Sequence, residues 1–289
     1  MLGGIVGLLA HARVALIAFA LALYLVGLIV TGERWRVVIA AMGSRVSLAR
    51  ATLINLAGIF VRNATPTTGL GGDASRIALL RAEGVPLAQA TASFAYVRLS
   101  EIAPLAVLVG LSTPALLRAV TRSSALIAAA GVALIVLLAV VWSSRGSLRD
   151  RLVDLWQRTE HVRITRAAMF AAVFYATLAQ IESVARLIVV AAAFGTTLTV
   201  QQAATVTVMS ILGGFVPTVG SIGAIDGSLV AGLMLFGASA EKAVAITLVG
   251  RAISYGISTA AGAFALAFLG GRGILRMFTE HKTNTAAAG

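Results

Sequence analysis

Two aspartate–arginine pairs share one spacing in this chain: Asp73 with Arg98, and Asp226 with Arg251, each 25 positions apart. Arginine keeps its charge at any accessible pH and presents five donors in a rigid fork, which suits bidentate contact with phosphate or carboxylate. Both aspartates open short helical segments, "DASRIALLRAE" (73–83) and "DGSLVAGLMLFG" (226–237). A helix N-terminus favours anions, and an acidic residue there also caps the helix. Both aspartates therefore read as caps and as members of a site.

Arg98 has Glu101 three residues on, a spacing that neutralises it along its own helix face. Arg251 has Ser254 at that place, so its charge calls for Asp226 or a ligand phosphate, and it is the stronger candidate contact. Glu182 and Arg186 form an i,i+4 pair inside an apolar segment, where ionisable residues line a site or neutralise each other. Arg76 follows Asp73 by three residues. Arg62, Asn55 and Asn63 precede the first break and read first as partners for its broken backbone. The candidate substrate contacts are thus Arg98, Arg251, Asp73, Asp226, Glu101, Arg76, Asn63, Glu182 and Arg186.

Catalytic chemistry is not expected. No serine lies in a nucleophile elbow, no histidine sits in an apolar segment to act as base, and no carboxylates are paired at a catalytic spacing. Cysteine is absent, and His11, His161 and His281 lie far apart, so neither a metal nor another cofactor is expected.

The elements that carry these residues belong to a membrane. The chain has 289 residues, 59% of them hydrophobic and 12% charged, where a soluble domain has about 25% charged. Its mean hydropathy is +0.95. The runs Val14–Val30, Ala125–Val141 and Ala167–Phe194 approach or exceed the ~18–20 apolar residues that cross a bilayer. Ala90–Leu111 and Lys242–Leu269 are further spanning candidates. An "ALA" at Ala20–Ala22 mimics a cleavage site, but no basic segment precedes it, so the first run is kept as a spanning helix. The formal net charge of +12 fits basic loops beside anionic lipid, and no nucleic-acid partner is expected.

Two segments resist this pattern. "LINLAGIFV" (53–61) breaks at "PTTGLGGDASR" (66–76), and "VQQAATVTVMSILGG" (200–214) breaks at "FVPTVGSIGAIDG" (215–227). The arm 73–83 reaches only ~16 Å as a helix, about half a bilayer, so each break predicts a hairpin that enters the membrane and returns. Irregular backbone at that depth is tolerated where it is buried in protein or lines a wet cavity. The hairpin residues singled out are Pro66, Gly69, Gly71, Gly72, Pro217, Gly220 and Gly223. The breaks also match each other. Pro66, Thr67 and Gly69 align with Pro217, Thr218 and Gly220, and a two-residue insertion brings Asp73 onto Asp226. Glycine then recurs at +11 (Gly84, Gly237), alanine at +17 (Ala90, Ala243) and arginine at +25.

With both hairpins re-entrant, the loop 32–50, the segment 143–166, the first hairpin's mouth and the tail fall on one side. They hold 15 Lys and Arg against four (Arg13, Arg118, Arg122, Lys242) on the other, as the positive-inside rule requires. The two hairpins then enter from opposite faces. The expected fold is an all-α polytopic membrane protein of about five to six spanning helices plus two re-entrant broken-helix hairpins, related as an inverted repeat. One domain, 1–289, would comprise repeat halves at about 12–111 and 167–270, a linking helix 123–142 and a cytoplasmic surface segment 143–166, where Leu148, Leu152, Leu155 and Trp156 recur at helical spacing. Trp35, beside Arg34 and Arg36, reads as an interfacial anchor.

The stretch "RWRVVIAAMG…SLARAT…GGDASRIALLRAEGVPLAQATAS…R", with "GGFVPTVGSIGAIDGSLVAGLMLFGASAEKAVAITLVGRAISYGIS" in the second half, resembles the lysylphosphatidylglycerol synthase transmembrane region, also called the flippase-like family. The resemblance covers nearly the whole chain. It implies a bacterial inner-membrane protein that moves a lipid between leaflets: aminoacylated phosphatidylglycerol in some relatives, hopanoid- or polyprenyl-linked lipids in others. The sequence ends soon after its last helix, without the soluble aminoacyl-transferring domain of fused members, so synthesis of that lipid is not expected. The expected function is a lipid flippase whose partners are membrane lipids with an anionic headgroup or phosphate. Two alternatives stay open: a transporter or channel for a small polar anion, and a non-transporting scaffold for a lipid-synthesis enzyme. A homodimer and a lipid-biosynthesis enzyme are the protein partners compatible with these readings.

Overall fold

In a computed structural model of the chain, which describes residues 2–65, 70–122, 164–214 and 223–270, the elements are helices and no strand occurs among the described residues. They are α1 (Leu2–Ala10), α2 (Val14–Ala41), α3 (Leu48–Ala64), α4 (Leu70–Ala82), α5 (Leu87–Arg122), α6 (Arg166–Ala193), α7 (Val200–Gly213), α8 (Ala224–Leu235) and α9 (Ala240–Gly270). A π-helical turn, Ala252–Gly256, interrupts α9. Helices α2, α5, α6 and α9 are long and apolar enough to cross a bilayer. The expected linking helix 123–142 lies outside the described residues. So does the surface segment 143–166 except for its last three residues, and so do the hairpin residues Pro66, Gly69, Pro217 and Gly220.

The remaining helices after α1 are short. At 17, 13, 14 and 12 residues, α3, α4, α7 and α8 each measure ~18–26 Å, less than the ~30 Å of hydrocarbon. They pack as two hairpins, α3 on α4 and α7 on α8. Glycines set how closely the arms approach. A Cβ on Gly72 would lie 2.5 Å from the Gly58 carbonyl oxygen, and one on Gly213 would lie 2.7 Å from that of Ala224. In both hairpins, backbone meets backbone where any larger residue would force the arms apart.

The order long helix, two short packed helices, long helix therefore occurs twice, in α2–α5 and in α6–α9. The offsets seen in the sequence have physical reasons here. Gly84 and Gly237 end α4 and α8 with φ of 89° and 91°, the left-handed region that side chains avoid. Ala90 and Ala243 are both fully buried, where a larger side chain would not fit.

Among the described helices, α2 and α6 form the most extensive pairing, and both carry buried small residues, Ala20 on α2 and Ala172 and Ala176 on α6, of the kind that lets helix backbones come close. Around this pair, one apolar cluster (Val190, Val206, Leu233, Ile246) supports the second half. Another (Trp35, Val38, Ile39, Leu80) supports the first.

Two expectations for the stretch 32–50 are corrected. It is not all loop, because α2 continues to Ala41. Trp35 is not an interfacial anchor: it is 5% exposed in the core. The apolar face continues through Val38 and Ile39, and a carboxylate from another helix meets the charge of Arg34. Arg34 and Arg76 are both buried, so two of the 15 basic residues assigned to one membrane face belong to the protein interior.

Candidate functional site: an arginine-lined cavity

Antiparallel arms joined at Gly84 bring distant residues to one level. Asp73 lies nine residues before the end of α4 and Arg98 eleven after the start of α5. At 1.5 Å per residue both stand ~14–16 Å from the turn, half the thickness of the hydrocarbon core. There Arg98 binds Asp73 at 2.9 Å.

That pair is the centre of a longer chain of charges. Arg34 of α2 donates to Glu101 at 2.8 Å, Glu101 accepts from Arg98 at 3.1 Å, and Asp73 accepts from Arg76 at 2.6 Å. Five residues from three helices alternate in sign: Arg34, Glu101, Arg98, Asp73, Arg76. The end members and Asp73 are buried, whereas the Arg98 side chain is 48% exposed. Arg34 and Arg76 each leave a buried Nε–H without an acceptor among the described residues. The Arg98 guanidinium also lies over the Phe94 ring at 5.4 Å.

The second half builds the matching pair with different surroundings. Asp226 faces the Arg251 Nε at 2.8 Å, and its other oxygen accepts from the Gly223 N–H at 2.9 Å. It therefore caps α8 and pairs with Arg251, which answers the partner required by Arg251. The Arg251 guanidinium lies 4.7 Å from the Tyr255 ring centre. On α6, Arg186 donates to Glu182 at 2.7 Å and lies over Tyr24 at 5.3 Å.

The π turn ties the halves together. Such turns free carbonyl groups from the regular ladder. Tyr24 donates to the Ser254 carbonyl at 2.8 Å, and Tyr255 reaches across to the Asn63 carbonyl at 3.1 Å. The Asn63 amide donates to Thr259 at 2.8 Å. The end of α3, where the first hairpin breaks, is thus bonded to α9.

These groups surround a cavity of about 310 Å³. Of the residues singled out from the sequence, Arg98, Arg251, Asp73, Glu101, Arg76, Asn63, Glu182 and Arg186 line it, while Asp226 stands behind Arg251. Gly71 and Gly72 lie in the first turn of α4 and Gly223 at the N-cap of α8. Ser183, Arg186, Arg251 and Ser254 also line a smaller cavity, about 140 Å³, on the side of α7 and α8. On the far side of α5 and α6 runs an apolar groove of about 430 Å³, lined by residues such as Val107, Leu111, Ile181 and Ile188.

Sequence reasoning gave too little weight to Arg62. It lines the cavity, is exposed to it, and has no ion-pair or hydrogen-bond partner among the described residues. A signal was present: no acidic residue stands three or four positions from Arg62 in either direction, unlike Arg76, Arg98 and Arg186. Arg34 and Tyr24 were also overlooked, the first because it was assigned to a loop.

Four bilayer-length apolar helices around a charged interior cavity define an integral helical membrane protein. The chain belongs to the family described as the lysylphosphatidylglycerol synthase TM region, which matches residues 2–262. No curated protein and no solved structure gives a significant match.

Proposed function

We propose that this protein is a lipid flippase of the bacterial inner membrane, which holds a phosphate-bearing headgroup in the arginine-lined cavity while the acyl chains stay in the bilayer. The observation that carries this reading is Arg62, a cation without a partner, exposed in a cavity that already contains five other arginines. Ionisable residues at membrane depth are costly to keep and mark substrate paths. The family supports a lipid-related role. The apolar groove on the opposite face of α5 and α6 supports a division in which polar and apolar parts of one lipid occupy two sides of the same helices.

In this reading the two hairpins are re-entrant and enter from opposite faces as inverted repeats, an arrangement that places a transporter's binding site at the repeat interface. The cavity shared with the second hairpin at Arg186 and Arg251 supplies the onward step. Transport without catalysis is the role assigned.

Dithionite quenching of labelled phospholipid in proteoliposomes tests the proposal. Wild type should expose inner-leaflet label faster than protein-free vesicles, and folded Arg62→Ala should not. Equal rates for wild type and empty vesicles across several anionic lipids would overturn the flippase reading.

A cavity of 310 Å³ is at the small end of ligand pockets, ~300–1,000 Å³, which favours a small polar anion as the second reading. Uptake of a radiolabelled anion, with no lipid movement, would select it.

A further inference from the structure

The balance of charge at the cavity narrows its substrate class, an inference that rests on the cavity being the lipid headgroup site. Among the described residues, six guanidiniums line it: Arg34, Arg62, Arg76, Arg98, Arg186 and Arg251. Four carboxylates meet them, from Asp73, Glu101, Glu182 and Asp226. Two positive charges remain. Glu182 offsets Arg186 and Asp226 offsets Arg251. The alternating chain starts and ends on arginine, so it keeps one charge, most open to solvent at Arg98. Arg62 keeps the other.

These two excess charges act on each other. Arg62 and Arg98 line the same cavity, and repulsion between like charges is far stronger in a protein interior than in water. An anion between them relieves it.

We infer that the cavity selects a lipid whose headgroup ends in a phosphate monoester dianion, held between Arg62 and Arg98, and rejects headgroups that carry an ammonium. A monoester brings about two negative charges and three acceptor oxygens. A phosphodiester brings one charge and leaves the other excess unmet. An aminoacylated phosphatidylglycerol adds positive charge and needs a free carboxylate, yet all four carboxylates already face a guanidinium. Free phosphate shares the dianion's chemistry, so the test includes it.

The full chain in phosphatidylcholine nanodiscs is titrated with dioctanoyl phosphatidic acid, dioctanoyl phosphatidylglycerol, lysylphosphatidylglycerol and inorganic phosphate, and binding is read by calorimetry. At pH ~7.5 phosphatidic acid should bind about tenfold tighter than phosphatidylglycerol, with the lysyl lipid weakest. Near pH ~5 the monoester loses its second charge (pKa ~6) while the arginines keep theirs, so the first two lipids should converge. Arg62→Gln should weaken phosphatidic acid about tenfold, and Arg62→Lys should restore part of the loss. Arg36→Gln, outside the cavity, is the control, and thermal unfolding confirms that each variant is folded.

Lysyl lipid binding as tightly as phosphatidic acid, or a preference independent of pH, overturns the inference. Inorganic phosphate that binds as tightly as phosphatidic acid upholds the dianion and overturns the lipid as its source. Selective binding without dithionite-detected movement overturns the transport reading alone. Movement of all three lipids at one rate overturns the headgroup selectivity alone.

Discussion

Asp73 and Arg98, on different helices, meet at 2.9 Å with the aspartate 8% exposed. The same carboxylate holds the buried Arg76 at 2.6 Å. Asp73→Asn removes the charge that both arginines face, and breaking a buried pair costs about 3–5 kcal/mol. Asp226→Asn, whose side chain is 29% exposed, should cost about 1–2 kcal/mol, closer to a lost cap. Thermal and denaturant unfolding in detergent measures both. Equal losses would contradict the difference in burial. A double-mutant cycle of Asp73 with Arg98 should return a coupling of about 1–3 kcal/mol.

Arg62 predicts the opposite separation of stability from function. Its removal breaks no ion pair or hydrogen bond among the described residues and takes one like charge away from Arg98 in the same cavity. Arg62→Ala should leave stability within about 0.5 kcal/mol of wild type, or raise it, while transport is lost. Arg34→Ala should do the reverse to stability, because it leaves Glu101 with one guanidinium fewer. If Arg62→Ala unfolds the protein, the residue is structural.

Glycine substitutions separate close approach from empty space. At Gly72, a Cβ would stand 2.5 Å from a backbone oxygen of α3, and neither partner can move as a side chain would. Gly72→Ala should cost about 1–3 kcal/mol. Gly227 lies in α8 with no described residue within 4 Å of its added Cβ, so Gly227→Ala should be neutral or stabilising by up to about 1 kcal/mol. Melting temperatures of the two variants check the contrast.

Tyr255 has two separable contacts. Tyr255→Phe loses the hydrogen bond to the Asn63 carbonyl at 3.1 Å and keeps the ring beside Arg251. A loss of about 1 kcal/mol is expected. Tyr255→Ala removes both contacts and should cost more in transport than in stability. Indistinguishable transport by Tyr255→Phe and Tyr255→Ala would show that the ring does not position Arg251.

What could be read from the sequence follows how local each signal is. Helix α6 was legible almost to the residue, since an uninterrupted apolar run has one helical solution. The Asp226–Arg251 contact was legible as one of two partners open to Arg251, because charges are rare in apolar segments, whereas Asp73 as a partner of Arg98 was hidden behind Glu101, which stands three residues on along the same helix face. Arg34 was not legible as an interior residue. Its partner Glu101 lies 67 positions away, and no local pattern tells a charge in a loop from one met by another helix. Trp35 was misplaced for the same reason. Arg62 was visible but undervalued, because a residue beside a break was taken to serve the backbone.

The π turn at Ala252–Gly256 gives α9 a local winding that differs from a regular α-helix. Up to the paired arginines, α5 and α9 carry alanine and arginine at the same offsets, Ala90 with Ala243 and Arg98 with Arg251. A π turn takes in one residue more than an α turn, and one residue is about 100° of rotation around a helix. Ser254, at the same offset from Arg251 as Glu101 from Arg98, lines the same cavity but carries no charge. Glu101 looks into the charged chain from α5, while α9 presents Tyr255 and Ser258 to the cavity. Deleting one residue from the turn would restore an unbroken α-helix and swing everything after it out of alignment, including Thr259, the partner of Asn63. The cavity thus has two unlike walls, an alternating chain of charges on one and the hydroxyls of Ser254, Tyr255 and Ser258 on the other.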